Sequence, residues 1–169
     1  MAPRPRRIHR SRPHETGYRG ARVMVDVHTT EQRSRNMAAI RGKDTKPEIC
    51  VRTLLHSLGY RFRLHRKDLP GKPDIVLPRH KAVIFVHGCF WHCHNCRFGR
   101  VQPVTRSEFW TVKRQSNVDR DHRNKTALRA LGWHVMVIWE CETKRLEKIE
   151  ARLTNYLAEK RPYHQKRRA

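Results

Sequence analysis

With 169 residues and a formal charge of +23, from 38 Lys and Arg against 15 Asp and Glu, the chain is long enough for one domain with a real core and far more basic than solubility requires. Such a charge points to a polyanionic partner, nucleic acid ahead of an anionic membrane surface, and no run of roughly 18 apolar residues occurs that could span a bilayer. Five cysteines with no secretory signal before them argue against a disulfide scaffold and for metal ligation in a reducing cytoplasm.

Residues 1–22 carry seven Arg against Glu15 alone, hence +6 of the +23, and the remaining +17 belongs to residues 23–169. The composition predicts a disordered basic arm over 1–23 with Met24 as an alternative start, one domain over 24–159 and a basic tail over 160–169. Thr30 is placed to cap a short helix over about 31–40, where Met37 and Ile40 are three apart. Thr45-Lys46-Pro47-Glu48 is a capping box with Pro in the first turn. It opens a helix whose apolar face carries Ile49, Val51, Leu54, Leu55 and Leu58 and which Gly59 ends.

The period then changes to two. Tyr60, Phe62 and Leu64 alternate with Arg61, Arg63 and His65 as a half-buried strand, and Pro70-Gly71-Lys72-Pro73 forces a turn. Asp74–Leu77 and Ala82–His87 are two further strands joined by a tight connection, and a hairpin would place Asp74 and His87 at the same end of the sheet. Residues 88–104 show neither period and form a loop. Thr105-Arg106-Ser107-Glu108 is a second capping-box pattern, opening a helix through Phe109, Trp110 and Lys113. Helix continues or restarts near Asn117, with Leu128 and Leu131 inward, and stops at Gly132. His134–Trp139 reads as a strand buried on both faces, and Leu146, Ile149, Leu153, Tyr156 and Leu157 mark a last helix. The order predicts an α/β fold, a mixed central sheet of about four strands flanked by helices, with one long metal-stabilised loop.

The chemistry concentrates in Val83–Cys96, where a core strand runs into three Cys, three His and two adjacent aromatics. Cys89, His94 and Cys96 lie within eight residues, and Cys141 is a fourth soft ligand from the end of the last strand. A Cys₃His set of this kind is the closed tetrahedral type that suits structural zinc, with Cys93 and His92 as rival ligands. Asp74 at a strand start is suited either to capping its own turn or to binding Mg²⁺ beside a phosphate, with His87 and His92 as proton-exchanging partners. Glu48 is either the acid of its capping box or a support for that metal. Phe90 and Trp91, joined by Trp110, suit either core packing or a wedge between base pairs.

Phe85–His92, with Leu69–Asp74 upstream and Glu108–Trp110, Asn117–Asp121 and Trp139–Cys141 downstream, resembles the very-short-patch repair (Vsr) DNA mismatch endonucleases. Arg33–Met37 and Asp44-Thr45 also fit, and the likeness covers about residues 24–158. The resemblance implies a restriction-endonuclease-like core and a Mg²⁺-dependent nick in one strand, 5′ to the thymine of a T:G mismatch left by deamination of 5-methylcytosine. It implies Asp74 as the metal-binding aspartate with the Val86 carbonyl beside it, His87 and His92 as active-site histidines, and Glu48 as a supporting acid. It also implies Cys89, His94, Cys96 and Cys141 as zinc ligands and Phe90, Trp91 and Trp110 as intercalating aromatics, and Lys113 and Asn117 would extend the DNA contact. A Thr is usual where this chain has Val86, and Cys93 and Asn95 stand where the family can have His. The enzyme so implied is a bacterial, nucleoid-associated cytoplasmic monomer acting on duplex DNA, off the membrane, with accessory repair proteins as further partners. A zinc-stabilised binding module without catalysis and a restriction-type enzyme cutting matched duplex on both strands are the competing readings.

Overall fold

The computed structural model describes residues 23–24, 29, 31–32, 35 and 42–159. The expected helix over 31–40 lies mostly outside these residues, though Glu31, Gln32 and Arg35 are helical. The Thr30 cap lies outside the described residues; the Thr29 hydroxyl accepts from Gln32 N–H at 3.2 Å, and the Gln32 amide oxygen accepts from Thr29 N–H at 2.9 Å.

Helix α1 (Lys46–Ser57) starts as its sequence dictates. The Thr45 side chain accepts from Glu48 N–H, and the Glu48 carboxylate returns to the Thr45 hydroxyl at 2.9 Å and to Asp44 N–H at 3.1 Å. Val51 and Leu55 are fully buried, whereas Ile49, expected on the same face, is 51 % exposed. A hundred degrees per residue puts position 49 well outside an inward stripe centred on 51 and 55.

The main sheet has four strands in the order β2 (Arg63–Leu64), β3 (Ile75–Leu77), β4 (Ala82–His87), β6 (His134–Trp139). The first three are antiparallel, and β4 and β6 run parallel across six paired positions from Ala82↔His134 to His87↔Trp139. The mixed sheet of four strands flanked by helices is therefore the architecture the sequence predicts. Strand β2 is shorter than the 60–64 alternation suggests, and Leu64 is exposed. A two-stranded parallel ribbon, β1 (Val23–Met24) on β5 (Gln102–Pro103), has no counterpart in the sequence reading.

Alternation along the strands divides the core in two. Ile75, Leu77, Ala82, Ile84, Met136 and Ile138 face α1 and the last helix, α3 (Leu146–Glu159), which contributes Ile149, Leu153 and Leu157. Val76, Val83 and Phe85 face Leu128 of α2 (Ser107–Ala130). Leu146 at the start of α3 and Leu131 after α2 are exposed, against expectation, each lying at a helix end.

Helix α2 is a single uninterrupted element of 24 residues, and its start differs from the predicted cap. Arg106 takes a left-handed conformation with φ 56°, and neither it nor Thr105 caps the helix by its side chain. Gly132, with φ 75°, turns the chain out of α2 as predicted. Among the described residues no helix is long and apolar enough to cross a membrane.

Ile84 is fully buried at the centre of β4. Ile84→Ala is expected to lower the unfolding free energy by about 2–5 kcal/mol, read from the urea midpoint at unchanged m-value.

Candidate active site and metal centre

The β3–β4 hairpin brings two sequence-distant groups together at one end of the sheet. Ile75 pairs with Ile84, and Asp74, one step before β3, accepts a hydrogen bond from Val86 N–H at 2.7 Å through Oδ2. Burial pushes the Asp74 carboxyl up to about 6, with Glu48 adding repulsion, while the bond from Val86 and the charges of His65 and Arg52 oppose the rise. A carboxylate desolvated this far without a paired cation is suited to receiving a divalent ion.

Glu48, only 4 % exposed, sits beside it. Its carboxylate takes a bond from Arg52 Nη2 at 2.6 Å, and Arg52 Nη1 reaches Asp44 at 2.5 Å. Asp44, Glu48 and His65 are close enough to share a metal ion, but the Arg52 guanidinium already binds both carboxylates.

His87 closes β4 and turns toward α2, on the face opposite Val86. Its ring stacks on that of His92 at 3.9 Å between centroids and 10° between planes, and Asp121 of α2 bonds His92 Nδ1 and lies 3.8 Å from His87 Nδ1. Burial first, then the charge of His92, pushes the His87 pKa down to about 3, so this imidazole is neutral at physiological pH. Burial alone would raise the Asp121 carboxyl, but the hydrogen bond to His92 and the nearby His87 outweigh it and hold the group below its ordinary value. Asp74, Glu48, Val86, His87, His92 and Asp121 all line one cavity of about 710 Å³, with Trp91 at its edge.

The second constellation is the sulfur cluster. Cys89, His94, Cys96 and Cys141 present ligand atoms that all lie within 4.8 Å of one another, and the set could hold a metal ion. His94 Nδ1 is 3.6 Å from Cys89 Sγ and 3.4 Å from Cys141 Sγ. Zinc–sulfur and zinc–nitrogen bonds of standard length at a tetrahedral angle would separate these atoms by about 3.5 Å. Cys93, at φ 52°, is exposed and lies outside the cluster, and the His92 ring is committed to Asp121.

The loop between these groups is held from α2. Arg114, 7 % exposed, donates from Nε to the Phe90 carbonyl at 2.8 Å, from Nη1 to Val101 at 2.8 Å and from Nη2 to Gly99. Gly99 is packed so closely that a Cβ there would lie 2.0 Å from the His94 carbonyl oxygen. Phe90, Trp91 and Trp110 form one half-buried group with centroids 5.2–5.9 Å apart, reached at its edge by the exposed Phe109. Lys113 is exposed beside this group. Asn117 is not: it is 7 % exposed, and its amide donates to the Trp91 carbonyl at 3.1 Å while accepting from Arg120, so it props the loop from below.

Comparison with known proteins places the chain in a family. The family described as DNA mismatch endonuclease Vsr matches residues 25–98. A type II nicking enzyme of Xanthomonas oryzae pv. oryzae, V.XorIIP, is 54 % identical over 134 residues, covering 79 % of this chain and 98 % of that protein. The DNA mismatch endonuclease Vsr of Escherichia coli is 45 % identical over 137 residues, covering 80 % and 87 %. This chain belongs to the Vsr endonuclease family. A second nicking enzyme, V.NmeAIP of Neisseria meningitidis, is 43 % identical over 136 residues, covering 80 % and 96 %. The catalytic domain of the homing endonuclease I-Bth0305I superposes with a TM-score of 0.49 at 20 % identity, covering 68 % of this chain and 96 % of that one.

Within this Vsr-family chain, sequence reasoning gave no role to Arg114, Asp121 or Glu140. Glu140 lines the cavity and accepts from Cys89 N–H at 3.2 Å. The signal for the first two was present: Arg114, Asn117, Asp121 and Leu128 recur at helical spacing, so α2 turns a polar stripe inward.

Two consequences can be measured. Arg114→Ala strands three carbonyls and is expected to cost about 3 kcal/mol or more, and Arg114→Lys should not restore stability, because one ammonium cannot reproduce the planar fork; thermal denaturation reads both. Asp74 works against the fold in the metal-free protein. With a folded value near 6 against 3.8 for the free group, its penalty is full above pH 6 and vanishes as pH falls toward 3.8. Asp74→Asn is therefore expected to be more stable than wild type by up to about 3 kcal/mol at pH 8 in chelator, a gap that closes on acidification.

Proposed function

We propose that this DNA endonuclease nicks one strand of duplex DNA 5′ to the thymine of T:G mismatches arising from 5-methylcytosine deamination, so initiating very-short-patch repair, with Mg²⁺ at the catalytic centre and Zn²⁺ at the sulfur cluster. The observation that carries the reading is the convergence on one cavity of a half-buried Asp74, which has no ion-pair partner among the described residues, and the His87–His92–Asp121 group, with Trp91 in the lining. The Asp74 carboxylate and the Val86 carbonyl would hold Mg²⁺, which when bound supplies Lewis-acid stabilisation of the charge developing on phosphate. Asp121 fixes His92 through Nδ1, which leaves Nε2 as the nitrogen able to exchange a proton with water or a leaving oxygen. His87, kept neutral by burial, orients that ring by stacking and brings no second positive charge. Glu48 supports the site from α1.

Phe90, Trp91 and Trp110 are read as the wedge entering the base stack, and Lys113 as a phosphate contact on the same helix. Three thiolates and one imidazole form a closed set without an open coordination position, which favours a structural ion. The protein is read as a monomer of the bacterial cytoplasm, at the nucleoid, with accessory repair proteins as further partners and no association with membrane.

A denaturing gel comparing matched and T:G duplexes, with and without Mg²⁺, tests the reading. One nicked strand in the T:G duplex alone is expected. Two cut strands, or cutting of matched DNA, would indicate a restriction-type enzyme, and tight binding with no product a non-catalytic module. Asp74→Ala is expected to remove product by at least about 10³-fold, and full-rate nicking by this variant would refute the assignment. Elemental analysis should find one zinc per chain, lost together with thermal stability on chelation.

A further inference from the structure

A second concavity, of about 390 Å³, lies between the metal loop, the turn at Glu140–Lys144 and the first turns of α3. Cys96 and Cys141 form one wall, and Glu140, the residue before Cys141, lines the first cavity. Its lining carries Arg97, Lys144, Arg145, Lys148 and Arg152, all exposed. The acid in the lining, Glu142, is spent internally, accepting from Trp139 N–H at 2.7 Å and pairing with Arg152. Among the described residues the other four cations have no carboxylate within ion-pair distance. Phe98 lies in this bed, 39 % exposed and apart from the Phe90–Trp91–Trp110 group, with the Arg97 guanidinium over its ring at 4.6 Å and the Lys144 ammonium over it at 5.1 Å, two flexible side chains that a stacking base would displace toward its phosphates.

We infer that this concavity binds an unpaired nucleotide of single-stranded DNA, the base stacking on Phe98 and the phosphates held by Arg97, Lys144, Arg145 and Lys148. Paired DNA offers phosphates but no free base face, and a recess of this size admits a nucleotide and excludes a duplex. An exposed ring among unpaired cations meets both needs of a single strand, stacking and backbone neutralisation. A nick leaves both of its ends paired, so the strand that fits is one already displaced from its complement beside the nick. The inference rests on the proposed DNA endonuclease activity but not on which mismatch is cut.

The test uses the full-length, metal-loaded protein. A short oligothymidylate carrying 5-iodouracil is cross-linked by light and the adduct mapped, and anisotropy titrations compare the same oligonucleotide with a matched duplex of equal length. The expected adduct is at Phe98. Phe98→Ala and, separately, Arg145→Glu with Lys148→Glu should weaken single-strand binding about tenfold or more, shift duplex binding much less, and leave heteroduplex nicking and the melting temperature near wild type. Adducts confined to Phe90, Trp91 or Trp110, unchanged single-strand affinity in both variants, or equal losses for strand and duplex would each overturn the site. Nicking by the same wild-type preparation is the control: if it fails, the enzyme reading is at fault, and if it succeeds while the cross-link goes elsewhere, only this inference falls.

Discussion

One buried guanidinium carries the arrangement. Arg114 projects from the first third of α2 and binds carbonyls at both ends of the loop that contains Phe90, Trp91 and most of the candidate metal ligands, Phe90 at its start and Gly99 and Val101 at its close. Charge-assisted hydrogen bonds in a desolvated setting are individually strong, and a planar fork imposes direction as well as energy. Asn117 adds a further point one turn along, at the Trp91 carbonyl. Helix α2 therefore serves less as a core element, since Leu128 is its one fully buried side chain, than as a rail to which a non-repetitive loop is fastened.

That fastening relates two chemically different places. Asp121 lies on the same helix face as Arg114 and Asn117, so the helix that positions the aromatic group also positions His92 over His87. From the other side, β6 lies parallel to β4 with Trp139 opposite His87, and the Trp139 ring stacks on His94 of the sulfur cluster at 4.2 Å while meeting His87 edge-on at 5.4 Å. A metal held by the cluster would thus fix the tryptophan that borders His87, although no ligand of the cluster lines the Asp74 cavity.

Much of this was legible in the chain itself, and what was not has physical causes. The sheet could be read because strands β3, β4 and β6 are apolar runs bounded by turns, and a hairpin of that length sets positions 74 and 87 at one end. The four metal-binding candidates could be read because soft ligands cluster at short spacing and Cys141 falls at a strand end. Helix α2 resisted reading because its inward face is Arg, Asn and Asp, which a hydrophobic pattern counts as surface, so the element looked broken near Asn117. For the same reason Asn117 looked like a DNA contact when it is a buried prop. The ribbon of β1 on β5 is two residues long and leaves no periodic trace. Thr105 looked like a cap because the pattern fits, yet Arg106 adopts a left-handed conformation that places Thr105 outside the helix.

The close approach of Gly99 to the His94 carbonyl gives the metal loop the character of a closed ring rather than a free excursion. The chain leaves the sheet after His87, passes Cys89, and folds residues 94–99, with His94 and Cys96 among them, back on themselves at a point where only a hydrogen atom fits. A ring closed this tightly has a fixed circumference. Length changes within it would separate the ligands or open the crossing, whereas segments outside the ring carry no such limit. Tolerance to insertion should therefore differ sharply between the two, with the boundary set at a residue that has no side chain and takes no part in the chemistry.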